Sequence, residues 1–282
     1  MNVVVCIKQV PNTKEVRIDP ETKNIVREGV PSILNPYDAN AIEAALRIKE
    51  ENGGSVIAIS MGPQQAAEVL QEALNMGVDR AILLSDRLFA GSDTLATGYA
   101  LSGAIKGLKP DLILCGSEAI DGCTGQVGPI IAENLGIPQF TYVHEISVQG
   151  NSAKVSREVK EGYELLSCKL PVLACVLKGI NIPRKPGISE KYPEVLSAKD
   201  CNMDAQRLGI KGSPTRVAHI SSSGKSISSF VSVDGSLSPG ERIKLLMNGG
   251  IVPKKINFTK GTARDLAEVI LSDSTVKGHL HS

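Results

Sequence analysis

Four short runs of apolar residues recur along the first half of the chain and restrict what it can fold into. They are Val3–Ile7, Val56–Ser60, Ala81–Leu84 and Leu112–Cys115. Each run is apolar almost throughout and does not alternate with polar residues, which is typical of a parallel strand buried on both faces. Because neighbouring parallel strands need a crossover connection, we expect a helix between successive runs.

The segments that separate and follow these runs have helical periodicity. They are Asp38–Asn52, Pro63–Asn75, Asp93–Lys106 and Gly125–Leu135. Glycines stand at or just after their C-terminal ends, and Ser92-Asp93 predicts an N-cap for the third. Strand and helix therefore alternate over the first 140 residues, which predicts an α/β fold with a doubly wound, mostly parallel sheet.

The pattern changes after Pro138. Val143–Ser147, Lys154–Val159 and Tyr163–Cys168 are separated by glycine-containing turns and are predicted to be antiparallel additions to the sheet. Pro171–Leu177 is predicted to be one more buried strand.

The last hundred residues have no comparable core pattern. Asn181–Asp200 contains three prolines and many charged residues, which predicts an exposed arm. Two helical pieces, Pro239–Met247 and Thr262–Ser272, are predicted beyond it. A long tail without a core of its own is typical of a segment that wraps a partner. We therefore expect a main domain over 1–217, with the arm at 181–200, and a C-terminal extension over 218–282.

Composition and charge exclude several classes of protein. Lys and Arg total 31 against 30 for Asp and Glu, so no basic surplus favours nucleic acid. No segment approaches the roughly 18 apolar residues of a membrane span. The N-terminus reads as a first strand and not as a signal peptide. Six scattered cysteines, without CxxC or HExxH spacing, argue against a metal centre and favour a cytoplasmic location.

The segment that follows the fourth apolar run is rich in glycine. It consists of Asp121, Gly122, Cys123, Thr124, Gly125, Gln126, Val127 and Gly128. Parallel sheets bind ligands outside the carboxyl ends of their strands, where this segment must lie. Glycines let backbone amides approach a phosphate, and the start of a helix favours negative charge. Spacing alone favours equally a simple connecting turn, and the segment is not the GxGxxG dinucleotide fingerprint.

Other candidate residues stand near predicted strand ends. Asn35, Pro36, Tyr37 and Asp38 precede the first helix, where Asn and Asp either cap it or reach an adenosine hydroxyl.

Met61 either fills the core or lines an adenine pocket. Thr94 and Thr97 lie one turn apart on a helix, where threonines often bond back to the helix backbone. No catalytic triad, paired acid motif or placed histidine stands out. Any chemistry must therefore belong to a cofactor.

Motifs over nearly the whole chain, to about Val217, resemble the electron transfer flavoprotein beta subunits. The motifs are Val5–Pro11, Asn35–Asp38, Gly77–Ala81, Asp121–Pro129, Asn181–Arg184 and Leu208–Thr215. The resemblance implies an adenine nucleotide alpha-hydrolase-like fold and a heterodimer with an alpha subunit that carries FAD. It also implies nucleotide contacts at Cys6, Asn35–Asp38, Met61 and Asp121–Ala132.

The resemblance leaves the cofactor of this subunit open between two forms. Conventional members hold AMP, whereas electron-bifurcating members hold a second FAD. The glycine-rich segment resembles the bifurcating form, which implies NADH as hydride donor, ferredoxin as one acceptor and a flavin dehydrogenase, of acyl-CoA or lactate type, as the other. The stretch 185–200 lacks the lysine cluster usual in the family's docking loop. A rival of another class is an adenine-nucleotide-binding module with no redox role.

Overall fold

The structure is a computed structural model that describes residues 1–12, 17–18, 25–26, 32–215, 238 and 240–243. Contacts divide the chain into two units, Met1–Ser222 and Ser223–Ser282. In the second unit, the described residues 240–243 are helical. The rest of the predicted helix Pro239–Met247 and all of Thr262–Ser272 lie outside the described residues.

The described part of the first unit contains thirteen strands and four α-helices. The strands are β1 Asn2–Cys6, β2 Gln9–Pro11, β3 Arg17–Ile18, β4 Ile25–Val26, β5 Ser32–Leu34, β6 Ser55–Met61, β7 Arg80–Leu84, β8 Leu112–Gly116, β9 Gln139–Gln149, β10 Ser152–Val159, β11 Gly162–Lys169, β12 Val172–Val176 and β13 Glu194–Leu196. The helices are α1 Pro36–Asn52, α2 Ala67–Met76, α3 Thr94–Leu108 and α4 Val127–Leu135. No helix among the described residues is long and apolar enough to span a bilayer.

Nine of these strands form one central sheet. Their order is β11-β10-β9-β12-β8-β1-β6-β7-β13. The neighbouring pairs β9-β12, β12-β8, β8-β1, β1-β6, β6-β7 and β7-β13 are parallel. The pairs β9-β10 and β10-β11 are antiparallel. The predicted α/β class, the mostly parallel sheet and the antiparallel additions are confirmed. The two remaining pairs, β2 with β5 and β3 with β4, are short antiparallel ribbons.

Helices cover both faces of the sheet, so the fold is doubly wound. Helices α1 and α2 pack on one face through Ile42 and Leu70, together with Val3 and Val5 of β1. Helices α3 and α4 pack on the other face through residues such as Ile105. Successive β1 side chains point to opposite faces, which is why its run is apolar at every position.

Three predicted helix starts differ from those of the structure. Helix α1 begins at Pro36, two residues before the predicted Asp38. The helix predicted from Pro63 begins with a 3-10 turn at Gln64–Ala66, and α2 follows it. The helix predicted from Gly125 begins at Val127, because Gly125 has a left-handed φ of +60° and belongs to the preceding loop.

The stretch 181–200 is partly exposed and partly attached to the sheet. Ile188 is 99% exposed and Tyr192 is 81% exposed. Further on, β13 adds to the sheet edge beside β7. The expectation that no part of this stretch is a core element is therefore too simple, because its end supplies the last parallel strand.

Candidate functional site

The carboxyl ends of the central strands meet at one edge of the sheet and bring the candidate residues together. Cys6 of β1 is in register with Cys115 of β8, and Cys115 is in register with Cys175 of β12. The chain leaves β1 through Lys8 and leaves β8 through the glycine-rich loop. Met61 ends β6 at the same edge, half-buried against the core of the α3 and α4 face.

Asn35 and Asp38 connect the loops at this edge instead of capping α1. Asn35 Nδ2 donates to the Glu118 carbonyl oxygen at 2.9 Å, and its Oδ1 accepts from the Ile120 amide at 3.3 Å. Asp38 accepts from the Lys8 amide at 2.8 Å and from the Gly116 amide at 3.2 Å. Neither side chain caps the helix, so both fix the positions of loops that follow β1 and β8.

Asp38 is a buried carboxyl, with 6% of its surface exposed. Burial raises its pKa to about 7, although hydrogen bonds from Asn35, Lys8 and Gly116 act in the opposite direction. A Cβ on Gly116 would lie 2.3 Å from Asp38 Oδ1 and 2.6 Å from Tyr37 Cβ. The start of α1 and the end of β8 are therefore in contact without room for another side chain.

Lys8 and Asp121 form the main ion pair of the site. Lys8 Nζ lies 2.7 Å and 2.8 Å from the two carboxylate oxygens of Asp121. The lysine side chain is half exposed. Tyr37 Oη donates to Glu118 Oε1 at 3.3 Å, and burial together with Glu118 raises the pKa of Tyr37. The first interaction ties the glycine-rich loop to the chain after β1, and the second ties Glu118 to the first turn of α1.

The glycine-rich loop is exposed from Asp121 to Gln126. Across the described ranges, no acceptor is found for the backbone amides of residues 124–128. Unpaired amides at the start of a helix attract an anion, because their partial positive charges add to that of the helix end. Gly125 makes the loop turn here with its positive φ, and a Cβ on it would lie 3.4 Å from the Ser117 carbonyl oxygen.

The three glycines of the loop have different surroundings. Gly122 has open space where a Cβ would point, and Gly125 supplies the left-handed turn. Gly128 faces the sheet, where a Cβ would lie 2.4 Å from Cys175 Sγ. The absence of a side chain at Gly128 is required for helix-to-strand packing, and its role towards a phosphate stays a prediction. Cys123 is exposed and has a positive φ of 49°.

Thr94 links the start of α3 to the glycine-rich loop. Its hydroxyl donates to Gln126 Oε1 at 2.9 Å, so it does not bond back to its own helix. Thr97 lies half-buried one turn later, and its hydroxyl has no hydrogen bond within the described residues. The predicted cap is confirmed, because Asp93 Oδ1 accepts from the Leu95 and Ala96 amides at 3.0 and 3.1 Å.

Sequence reasoning missed several residues of this edge. Lys8 comes two residues after the end of β1, and its charge just after a buried run is the signal that the sequence offers. Ser117 and Glu118 are the first residues after β8, and they stand between the fourth apolar run and the glycine-rich segment. Gly116 ends β8, and only its neighbours in space show why a glycine is required there.

This geometry defines a class: a doubly wound α/β protein with an anion-attracting loop at the carboxyl edge of its sheet. Residues 22–201 match the family model described as "Electron transfer flavoprotein domain". A protein of Thermoanaerobacterium thermosaccharolyticum named electron transfer flavoprotein subunit beta is 53% identical over 224 residues, which are 77% of this chain and 86% of that protein.

Two further relatives carry other names. The caffeyl-CoA reductase-Etf complex subunit CarD of Acetobacterium woodii is 48% identical over 225 residues, 77% of this chain and 86% of its own. Protein FixA of Azorhizobium caulinodans is 44% identical over 235 residues, 78% of this chain and 84% of its own. The chain belongs to the electron transfer flavoprotein family, among its beta subunits, and its role is electron transfer.

Proposed function

We propose that this chain is the beta subunit of a cytoplasmic heterodimer and holds an adenine nucleotide, FAD in preference to AMP, at the carboxyl edge of its sheet. Residues 1–217 would form the nucleotide-binding domain, and 218–282 would wrap the alpha partner. The main support is the run of unpaired backbone amides at 124–128. The amides of 124–126 lie in an exposed stretch, where an anionic ligand can replace the water that they bind.

The residues around this run fit a phosphate-bearing ligand. Gly122 leaves open space beside the loop, and Thr124 and Gln126 are exposed donors. Lys8 stands beside the loop, and its ion pair with Asp121 at 2.7 Å holds its ammonium group there. Asn35 and Asp38 hold the loops after β1 and β8 through hydrogen bonds of 2.8 to 3.3 Å, so the ligand meets a preformed edge.

The preference for FAD rests on the length of the polar path. An AMP has one phosphate, which a few amides satisfy, whereas a diphosphate makes use of a longer run. The amide run continues through Gln126 to Thr94 at the start of α3, and Thr97 lies one turn further with its hydroxyl unpaired within the described residues. These two hydroxyls would face the part of the ligand that extends beyond the phosphates.

The remaining candidates would bind the adenosine end. Cys6 and Met61 are apolar side chains at the ends of β1 and β6, suited to an adenine face. The same end of the ligand would be enclosed by four residues at the start of α1, Asn35, Pro36, Tyr37 and Asp38. The remaining candidates in the glycine-rich loop are Cys123 and Val127. When bound, FAD would supply the redox chemistry, with NADH as hydride donor and with ferredoxin and a flavin dehydrogenase of acyl-CoA or lactate type as acceptors.

Counting nucleotides in the purified heterodimer tests the proposal. The chain is co-expressed with its alpha partner, the complex is denatured, and the released nucleotides are separated by chromatography. Two FAD per dimer support the proposal. One FAD with one AMP refutes FAD in this subunit and favours the conventional AMP-holding form.

Expression of the chain alone tests the rival of another class. A module with no redox role would be soluble, monomeric and colourless by itself and would need no partner. A beta subunit would require co-expression to give a yellow complex. A chain that binds a full complement of FAD alone as a monomer contradicts the proposed heterodimer.

A further inference from the structure

The first turn of α4 rests on the sheet with no space for a side chain at position 128. A Cβ on Gly128 would lie 2.4 Å from Cys175 Sγ, with Leu173 Cδ2 at 3.5 Å and Cys115 Cβ at 3.6 Å. Non-bonded carbon contacts are favourable at about 3.5 to 4.0 Å, so only the sulfur obstructs. The helix can lie at its present height because residue 128 is glycine and residue 175 is no larger than cysteine.

Cys175 belongs to a row of three thiols on adjacent strands. Cys6, Cys115 and Cys175 are in register on β1, β8 and β12, and all three are buried. The hydrogen bond to Cys115 and burial raise the pKa of Cys175 well above its ordinary value. The side chain is therefore a protonated thiol that packs as a small neutral group.

A second close contact fixes the same helix from the side. A Cβ on Gly98 of α3 would lie 2.3 Å from Ile130 Cγ2 and 2.9 Å from Ile130 Cβ. Gly128 and Ile130 both belong to the beginning of α4. Two contacts therefore fix the position of the start of α4. Cys175 of the sheet packs against Gly128, and Ile130 packs against Gly98 of α3. A tightly packed interior transmits a change of even one atom to its surroundings.

The beginning of α4 is continuous with the run of unpaired amides at 124–128. On the basis of the proposed function, we propose that Cys175 is a positioning residue of the nucleotide site: the size of its side chain, matched to the missing side chain of Gly128, sets the height of the phosphate-binding amides above the sheet. Cys175 is buried beneath Gly128, so it would act through the helix backbone.

This role is tested by variants that add a side-chain atom at position 128 of the helix, remove one at position 175 of the strand, or do both. Gly128→Ala, Cys175→Ala and the double variant are made in the complete heterodimer, and the dissociation constants of FAD and AMP are measured by titration. Gly128→Ala should weaken nucleotide binding by about tenfold or more, because the new Cβ lifts the amides. Cys175→Ala should weaken it by about threefold, and the double variant should recover to within about threefold of wild type.

Two further variants separate size from other effects. Cys175→Ser keeps the size of the side chain and should keep the nucleotide affinity even where the melting temperature falls. Gly107→Ala is the matched control, since this exposed position on α3 has no atom within 4 Å of a Cβ. It should change neither affinity nor dimer yield.

Several outcomes would overturn the inference. They are full nucleotide affinity in Gly128→Ala, a double variant as weak as Gly128→Ala, or equal losses of melting temperature with no change in affinity. Should Gly128→Ala fail to fold, the double variant must still fold and bind, and its failure also refutes the role. A wild-type dimer that holds no adenine nucleotide refutes the proposed function itself.

Discussion

Gly125→Val tests the glycine-rich loop most directly, because Gly125 has a backbone conformation that valine avoids. Its φ is +60°, and a Cβ there would lie 3.4 Å from the Ser117 carbonyl oxygen. A β-branched residue in the left-handed region is a true outlier, and such strain costs about 1 to 3 kcal/mol. The loop can relieve the strain only by turning, which moves the amides that follow it.

The expected loss of affinity follows from this strain. If nucleotide binding must restore the left-handed turn, the dissociation constant rises by about 5- to 150-fold, since about 1.4 kcal/mol corresponds to a factor of ten. The measurement is the nucleotide retained by the purified heterodimer after gel filtration, followed by titration with FAD and AMP. Gly125→Asn should lose less, because asparagine tolerates the left-handed region.

Gly136→Val, at the far end of the helix that follows the loop, is the matched control. Gly136 ends α4 with a φ of +65° and has no atom within 4 Å of a Cβ. It should have a similar backbone cost and lower the melting temperature comparably, yet keep the nucleotide. Retained nucleotide in Gly125→Val, or equal loss in both variants, would refute the assignment of the loop.

Three shorter predictions concern other parts of the chain. Glu43 is buried and accepts hydrogen bonds from Arg184 and Arg47, which hold its pKa below 4.5 despite burial. Glu43→Gln should therefore lower the free energy of unfolding by about 3 kcal/mol at pH 7, and by less below pH 4.5; equal losses at both pH values would contradict this. Cys123 is the exposed thiol, so it should react first with a thiol reagent and be protected by bound nucleotide; mass spectrometry that finds no protection would argue against the loop. The pKa of Asp38 is raised from 3.8 to about 7, so folding favours its protonated form and its contribution to stability should fall as pH rises through that window, by up to about 4 kcal/mol. Thermal unfolding of wild type and of Asp38→Asn across that pH range gives the difference in stability. A difference that does not change with pH would refute the prediction.

The central elements could be predicted because their signals are local. A run such as Leu112–Cys115 is apolar at every position, which suits a strand covered on both faces. Asp93 followed by a helical pattern predicts a cap from neighbouring residues alone. The error at Gly125 has the same origin, since sequence pattern does not distinguish a left-handed turn from the first residue of a helix.

The contacts that build the site could not be predicted, because their partners are far apart in sequence. Lys8 pairs with Asp121 across 113 positions, and Asn35 bonds Glu118 across 83. The thiols of Cys6, Cys115 and Cys175 have no recognisable spacing, yet strand register places them side by side. The order of strands in the sheet brings these residues together. The apolar runs in the sequence do not specify that order.

Helix α1 connects the candidate site to the stretch 181–200. Near its start, Asp38 holds the site loops, and two residues later Asn40 exchanges hydrogen bonds with Asn181 at 2.8 to 3.0 Å. Glu43 then binds the Arg184 guanidinium at 2.8 Å. These residues span only about 8 Å of one helix, at 1.5 Å per residue, and a helix this short does not bend appreciably. The root of the stretch therefore has a fixed position relative to the site. Substitutions after Arg184 would change the side chains on the stretch 185–200. They would not change the position of Asn181 and Arg184, which α1 fixes.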